Sequence, residues 1–267
     1  MKALISLSLI CALPAVAADF PSPADRIADC ENRWFLIEGR DPESRILGFA
    51  YVDAAAGVTF EHNGSVGIAA DGALERKPSE RKDKARLIVR VGANYEVACL
   101  TEAQRTQLGI SATPDWLAFY KDSRPAGPHH VLWASHYNHI GAFGRALTHI
   151  EAARSESFES RDLTFEHGFA LNAVKRYREA RAVLEPGVKS HPQDVNMLAE
   201  LGFAHLGLGD FAEGIEIYKR AFSMDEAGAS GRTSDFARNI AFAYTRLGDE
   251  TEAAKWLALA QKARPKK

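Results

Sequence analysis

Residues 200–222 read ELGFAHLGLGDFAEGIEIYKRAF, two stretches of regularly spaced apolar residues joined at Gly209-Asp210. The apolar residues recur every three or four positions on both sides of this dipeptide, which is the spacing of one face of an α-helix. A phosphate-binding G-x-G-x-x-G loop would have to leave a strand, whereas here a helical pattern precedes Gly207 and the sixth residue is Ala212. The stretch therefore predicts a helical hairpin that turns at Gly209-Asp210, and it argues against a dinucleotide site.

The same pattern occurs four times between residues 127 and 267. Each copy carries a small residue on its first helix, and Ala134, Gly168 and Gly202 are 34 residues apart. Ala241 follows 39 residues after Gly202, and the five extra residues fit in the glycine-rich stretch EAGASGRT at 226–233. The unit is therefore a repeat, and one helical hairpin forms each copy.

A 34-residue period with these anchors resembles the tetratricopeptide repeat, a helix-turn-helix unit that stacks into a solenoid. The resemblance covers residues 127–267, as repeats 127–160, 161–194, 195–228 and 234–267. The residues that carry it are Ala134, Tyr137, Phe143, Ala146, Ile150 and Ala153, then Gly168, Leu171, Tyr177, Ala180, Leu184 and Pro192, then Leu201, Gly202, Gly209, Phe211, Gly214, Tyr218 and Ala221, and then Ile240, Ala241, Tyr244, Gly248, Ala253, Leu257 and Ala260. The sequence departs from the family pattern at Gly187 and Gly214, where alanine is usual, and at Glu250, where an aromatic residue is usual.

The resemblance implies a concave groove, lined by the first helix of each repeat, that binds a protein or peptide partner. Carried over position by position, this groove receives Ser135, Asn138, His139, Phe165, Glu166, Phe169, Asn172, Glu200, Phe203, Arg238, Asn239, Phe242 and Arg246. Phe169, Phe203 and Phe242 fall at one equivalent position. Exposed rings beside polar groups are typical of a recognition surface, and the alternative is that these rings pack against neighbouring helices.

Five of the nine histidines, His129, His130, His136, His139 and His149, lie within 21 residues. His136 and His139 are three apart on one helix and so are able to share an ion, but His129 lies two turns from His136. One helix cannot supply three ligands, and no cysteine or acid at metal spacing accompanies them. We therefore expect no metal and no other cofactor, with a pH-sensitive surface or ordinary packing histidines as the alternatives.

The last helix offers a second possible contact. Trp256 and Leu259 fall at positions that normally face outward, and a solenoid usually ends in a polar capping helix. An apolar edge here would suit a homodimer or a partner, and a partly exposed tryptophan is the alternative.

The first 18 residues have the composition of a cleaved signal peptide. Lys2 gives a positive start, an apolar run follows to Leu13, and Ala15 and Ala17 sit where an A-x-A cleavage site needs small residues. The apolar run is too short for a membrane span. The sequence thus predicts export to the periplasm, or secretion, without membrane insertion.

Cys30 and Cys99 remain after this segment is removed, and an even pair in an exported chain predicts a disulfide. Between them lie short runs rich in β-branched and aromatic residues, separated by turn residues, which predict an antiparallel β domain. Asn63-Gly64 is the strongest hairpin signal among these runs.

Together these features predict an α+β chain of two domains: a signal peptide at 1–18, a small disulfide-linked antiparallel β domain at 19–101, a helical connector at 102–126 and an all-α solenoid of about four repeats at 127–267. The formal net charge of −2 gives no reason to expect nucleic acid as a partner. We expect a non-enzymatic scaffold that binds a protein partner. The alternative is a hydrolase or a metal-dependent protein that uses the β domain or the histidines between His129 and His149.

Overall fold

A computed structural model describes residues 20–77, 88–90, 95–120, 123–225 and 231–263, and for 88–90 it describes the backbone alone. The predicted signal peptide lies outside the described residues. The chain divides into two compact units, one formed from Met1–Tyr51 and Thr59–Phe119 and the other from Val52–Val58 and Tyr120–Lys267.

The first unit is built on one sheet of seven strands in the order β1-β7-β2-β3-β4-β5, with β6 paired to β4. The strands are β1 (Asp25–Arg26), β2 (Arg33–Glu38), β3 (Arg45–Asp53), β4 (Gly57–Ile68), β5 (Leu74–Lys77), β6 (Ile88–Arg90) and β7 (Glu96–Cys99). The pairs β1–β7, β7–β2, β2–β3, β4–β5 and β4–β6 are antiparallel. The last strand in sequence, β7, thus lies between the first two.

The core of this unit is aromatic. Phe35 and Phe49 are fully buried. Phe35 lies edge-to-face against Phe60, with ring centroids 5.3 Å apart, and Phe49 lies edge-to-face against Trp34, with ring centroids 5.0 Å apart. The predicted disulfide is present: it joins Cys30, in a short 3₁₀ helix, to Cys99, with 6.2 Å between their Cα atoms. The bond closes a long loop and therefore restricts the unfolded chain strongly.

The predicted hairpin at Asn63-Gly64 is wrong, because β4 runs without interruption from Gly57 to Ile68. A type I′ turn needs a positive φ at both central residues, and Gly64 has one (+92°) whereas Asn63 does not. Gly64 instead separates the part of β4 that pairs with β6 from the part that pairs with β5. The chain reverses a few residues later, at Asp71-Gly72, where Gly72 has a φ of +85° and the Asp71 carboxylate accepts the Ala73 N–H.

After the sheet come α1 (Glu102–Gln107) and a 3₁₀ helix (Asp115–Tyr120), both within the predicted connector. The second unit then holds four consecutive helical hairpins in the described residues. They are α2 (Ala126–His139) with α3 (Phe143–Ser155), α4 (Arg161–Ala173) with α5 (Tyr177–Ser190), α6 (Val195–Leu208) with α7 (Phe211–Met224), and α8 (Thr233–Leu247) with α9 (Glu250–Lys262). We call α2, α4, α6 and α8 the inner helices and α3, α5, α7 and α9 the outer helices. The predicted fold class is confirmed.

The small residues of the second and third repeats are points of close contact between helices. A Cβ added at Gly168 would lie 2.5 Å from Leu184 Cγ on α5, and one at Gly202 would lie 2.8 Å from the Tyr218 ring on α7. The side chains of the outer helices thus occupy the space that a larger residue would need. Gly209 and Gly248 end α6 and α8 in the left-handed conformation, with φ of +84° and +82°, so these glycines close helices as the sequence predicts.

We expect the Gly168→Ala substitution to destabilise the second unit. The added methyl overlaps Leu184, and overpacking of this kind typically costs about 1–3 kcal/mol of unfolding free energy. Urea unfolding followed by circular dichroism at the helix band measures the change.

Gly144→Ala is the matched control, because Gly144 also lies in a helix but a Cβ there would have no neighbour within 4 Å. This control should be neutral or stabilise by up to about 1 kcal/mol. Equal effects of the two substitutions would contradict the packing argument.

Candidate protein-interaction surface

The four inner helices carry all the residues that sequence predicts for the groove. The structure separates these residues into two groups by exposure. The exposed or half-exposed members are His139, Phe165, Glu166, Phe169, Phe203, Arg238, Asn239, Phe242 and Arg246, and Ser135 is half-exposed as well. Asn138, Asn172 and Glu200 are buried.

The exposed phenylalanines belong to a repeated pair of rings. Each pair joins a phenylalanine of an inner helix to the first residue of the outer helix before it. The pairs are Phe143–Phe169, Tyr177–Phe203 and Phe211–Phe242, with centroids 6.1, 6.1 and 6.3 Å apart and ring planes at 64°, 67° and 75°. Edge-to-face geometry at this distance is the favourable arrangement for two aromatic rings. We call these six residues the aromatic row.

Exposure increases along the row. Phe169 is half-buried and also contacts Phe165, with ring centroids 6.2 Å apart, whereas Phe203 is 43% exposed and Phe242 is 50% exposed. Sequence reasoning named the inner member of each pair and missed Phe143, Tyr177 and Phe211 as site residues, although they too are 34 residues apart. That spacing was the signal that could have found them.

Arginines flank the most exposed ring. Arg238 and Arg246 lie one turn before and about one turn after Phe242 on α8. The Arg246 guanidinium lies over the Phe211 ring, 5.3 Å from its centroid, while Arg238 contacts Asp235 at 3.3 Å and donates to the Ser234 hydroxyl. This end of the row therefore combines accessible rings with positive charge.

The buried polar residues connect neighbouring inner helices. The Asn138 side-chain amide donates to the backbone oxygen of Glu166 (3.0 Å) and to its carboxylate (2.7 Å). Asn172 donates in the same way to Glu200, at 2.9 and 3.1 Å. We call these two contacts the Asn–Glu bridges. Their burial means that Asn138, Asn172 and Glu200 join helices and leave almost no surface for a partner to touch.

The second bridge contains a buried carboxylate. Burial raises the pKa of Glu200, and the hydrogen bond from Asn172 and the positive charge of Arg232 oppose that shift. Arg232 Nη2 lies 3.7 Å from the Glu200 carboxylate. A buried acid is tolerated only where such groups face it.

The histidines between 129 and 149 interact mainly with one another and with rings. The Nδ1 atoms of His130 and His149 are 3.0 Å apart, His149 stacks on Tyr137, and His129 stacks on Trp133. Burial lowers the pKa of His130, with further lowering from His149 and His129. His136 Nε2 lies 3.2 Å from the Ala54 backbone oxygen within the same unit.

One group of three His, Cys, Asp or Glu side chains close enough to share an ion occurs in the part of the chain that the structure describes. It consists of Asp25, Cys30 and Cys99, and the two sulfurs form the disulfide. This group is therefore structural, and the Asp25 carboxylate accepts the Cys99 N–H at 3.0 Å.

The predicted C-terminal edge is only partly open. Trp256 is half-buried and lies edge-to-face against Phe222, with ring centroids 5.2 Å apart, whereas Leu257 and Leu259 are exposed. Trp256 thus packs within its own unit. A search of the described helices found none with the length and apolar character needed to cross a bilayer.

One buried histidine was not singled out by sequence reasoning. His167 precedes the small residue Gly168, and the equivalent residues in the other repeats are Trp133, Leu201 and Ile240, all buried. His167 is itself 8% exposed. Burial, followed by the positive charges of Arg154 on α3 and Arg176 before α5, lowers its pKa to about 4, and Glu179 on α5 acts in the opposite direction.

His167 should make the second unit less stable in mild acid. An unfolded histidine has a pKa of about 6.5, so between that value and the folded pKa the unfolded chain binds more protons. We expect the unfolding free energy to fall by up to about 2 kcal/mol between pH 7 and pH 5 through this residue. Urea unfolding of the wild type and of His167→Leu at pH 7 and pH 5 measures this contribution. It is the difference between the two proteins in how far the unfolding free energy falls.

The variant His139→Leu is the control, because His139 is exposed at the end of α2. This variant should keep the pH dependence of the wild type, and His167→Leu should lose part of it. The same dependence in all three proteins would contradict the assignment.

Comparison with known proteins supports the repeat assignment. A family model described as tetratricopeptide repeat matches residues 170–231 and, in an overlapping match, 204–267. These ranges contain α5 to α9 and the end of α4. A comparison with curated proteins gave no match.

Solved structures of MamA proteins are similar to this chain. MamA AMB-1 is 22% identical with a TM-score of 0.47, and the alignment covers 55% of this chain and 85% of that one. MamA from Desulfovibrio magneticus RS-1, residues 41 to the end, is 20% identical with a TM-score of 0.47, over 55% of this chain and 78% of that one. MamA MSR-1 is 21% identical with a TM-score of 0.46, over 55% of this chain and 82% of that one. Similarity of this degree says nothing about what the chain binds.

The helical hairpins, their small-residue contacts and the family match agree with one another. The second unit therefore contains tetratricopeptide repeats, over the residues 170–267 that the family model matches.

Proposed function

We propose that this protein is a non-enzymatic, exported scaffold that binds a protein or peptide partner along its aromatic row. Tetratricopeptide repeats are generally protein-interaction modules, and the coarse assignment as an interaction scaffold rests on the repeats themselves. The identity of the groove, the partner and the compartment are parts of the proposal.

The exposure of Phe203 and Phe242 is the observation that carries the proposal. These two phenylalanines are 43% and 50% exposed and lie at equivalent positions of two inner helices. Each contacts a second ring, Phe203 that of Tyr177 and Phe242 that of Phe211. Rings that are already held in place lose little conformational freedom when a partner covers them. Aromatic and arginine side chains also supply much of the binding energy at protein interfaces.

The charges beside the row favour a partner with both apolar and acidic side chains at the α8 end. Arg246 and Arg238 flank Phe242 there, and Arg246 stacks on Phe211. A carboxylate near these guanidinium groups would gain charge-assisted hydrogen bonds while an apolar side chain covers the ring. Glu166, at the other end of the row, is half-exposed and carries the opposite charge.

Two observations support the proposed compartment, the N-terminal sequence and the disulfide. Residues 1–18 have the three regions of a cleavable signal peptide. The Cys30–Cys99 disulfide is of the kind that persists in oxidising compartments. Both features support export to the periplasm, with secretion as the alternative.

Partner binding is tested by affinity capture from a periplasmic extract of the native host, with the mature protein as bait. We expect the wild type to retain a partner protein. The double variant Phe203→Ala/Phe242→Ala should capture at least about 10-fold less of it, because the loss of each anchoring ring typically costs 1 kcal/mol or more of binding free energy.

The double variant Leu257→Ala/Leu259→Ala is the matched control, because it removes two exposed apolar side chains that lie outside the row. It should retain the partner. Equal loss in both variants, or retention by Phe203→Ala/Phe242→Ala, would contradict binding along the row.

Export is tested separately. Mass spectrometry of the protein from fractionated cells should find an N-terminus at Ala18 or Asp19 in the periplasmic or secreted fraction, because cleavage after Ala17 or Ala18 removes the predicted signal peptide. A protein that keeps Met1 and stays in the cytoplasm would contradict this part of the proposal.

A further inference from the structure

A cleft of about 860 Å³ lies between the end of α3, the first turns of α4 and the second half of α5. Its volume is within the range of small-molecule sites. Its lining combines apolar side chains, among them Leu163, Val183 and Pro186, with the polar side chains of His167 and Arg154. All of these residues belong to the second unit, and none belongs to the aromatic row.

His167 is the polar group buried in this cleft. It is 8% exposed, and its side chain lines the cleft. Its ring nitrogens are not among the fully enclosed polar atoms without a partner in the described residues, so they are accessible from the cleft. The other repeats have the less polar residues Trp133, Leu201 and Ile240 at the same position. An imidazole that faces a cleft in place of an apolar residue is therefore able to bond with a ligand.

The charges around His167 favour an anion. Arg154 and Arg176 both lower its pKa through their positive charge, and Glu179 alone of the surrounding groups that act on it opposes them. Arg176 is neutralised by Glu179, at 2.6 Å. Arg154 also lines the cleft, and it forms no ion pair with any carboxylate that the structure describes.

The remaining charged groups of the lining do not neutralise Arg154. Arg161 already pairs with Asp194 at 2.5 Å and with Asp162 at 2.7 Å. Glu159 is exposed and lies two residues before α4. His191 directly follows α5, and its Nδ1 lies 3.3 Å from the Gly187 backbone oxygen. The lining thus combines the exposed Arg154 guanidinium, which has no ion pair in the described residues, with the buried His167 imidazole.

Apolar side chains also line the cleft. Leu163 and Phe158 contribute from α4 and from the loop before it, and Val183 and Pro186 contribute from α5. A ligand that fills this space gains by burying hydrocarbon at these side chains, at roughly 25 cal/mol per Å². The basic and the apolar side chains of the lining together favour a ligand with an acidic group and an apolar body.

We propose that this cleft binds a small organic acid whose carboxylate accepts hydrogen bonds from His167 and Arg154 and whose hydrocarbon part packs on Leu163, Val183 and Pro186. The carboxylate gives the imidazole a hydrogen-bond partner and pairs with the guanidinium. The proposal does not depend on partner binding along the aromatic row, because it uses a different set of side chains.

The test is isothermal titration of the mature full-length protein at pH 7 with three probes. Hexanoate carries both required features, hexanamide has the same apolar body without the charge, and inorganic phosphate has the charge without the apolar body. We expect saturable binding of hexanoate, and binding at least about 10-fold weaker for each of the other two.

Variants locate the binding. His167→Leu, which copies Leu201 of the next repeat and so should fold, and Arg154→Gln, which changes an exposed side chain, should each weaken hexanoate binding at least about 10-fold. Arg246→Gln is the matched control, because it removes a cation from the aromatic row, and it should leave hexanoate binding unchanged. Circular dichroism confirms that each variant is folded.

Three results would each overturn the proposal: no saturable binding of hexanoate by the wild type, equal binding of hexanamide, or unchanged hexanoate binding by both His167→Leu and Arg154→Gln. Capture of a partner by the aromatic row would remain possible in every case, so failure here is distinct from failure of the proposed function.

Discussion

The close contact between the inner and outer helix of the second and third repeats is the constraint on which the packing of these repeats depends. At Gly168 and Gly202 the side chains Leu184 and Tyr218 fill the space that a Cβ would need. The outer-helix rings Phe143, Tyr177 and Phe211 recur at 34-residue intervals, the same interval that separates Gly168 from Gly202.

The inner helices carry both buried polar residues and exposed aromatic rings. The Asn–Glu bridges use Asn138, Asn172 and Glu200 to connect one inner helix to the next, and these residues are buried in doing so. Phe203 and Phe242 lie on the same helices and stay exposed. A fixed backbone thus presents rings to the solvent while its own polar groups hold the helices in register.

Sequence predicted the features that depend on local spacing. The 34-residue period predicted the helical hairpins and the close contacts at the small residues, and the two cysteines predicted the disulfide. The sequence could not predict which polar side chains of the inner helices are buried. A residue's position in its repeat indicates which side of the helix it faces, but it does not show whether the next helix supplies a hydrogen-bond partner that covers it. Asn172 and Glu200 meet only after the repeats stack.

Two further differences have local causes. Asn63-Gly64 satisfies the sequence preference of a tight turn, but the pairing of β4 with β5 and β6 keeps Asn63 extended in the strand and moves the turn to Asp71-Gly72. His167 stood out only when compared with Trp133, Leu201 and Ile240, its equivalents in the other repeats. A polar residue at a position that is otherwise apolar is a signal that the sequence does contain.

The central claim is that a partner covers the exposed rings of the inner helices. Site-specific photocrosslinking in the native host tests it most directly, with a benzophenone amino acid in place of Phe203 and, in a second protein, in place of Glu216, an exposed residue of the outer helix α7. The account predicts a crosslinked protein from position 203 and none from position 216. A crosslink from position 216 alone, or none from position 203, would contradict it.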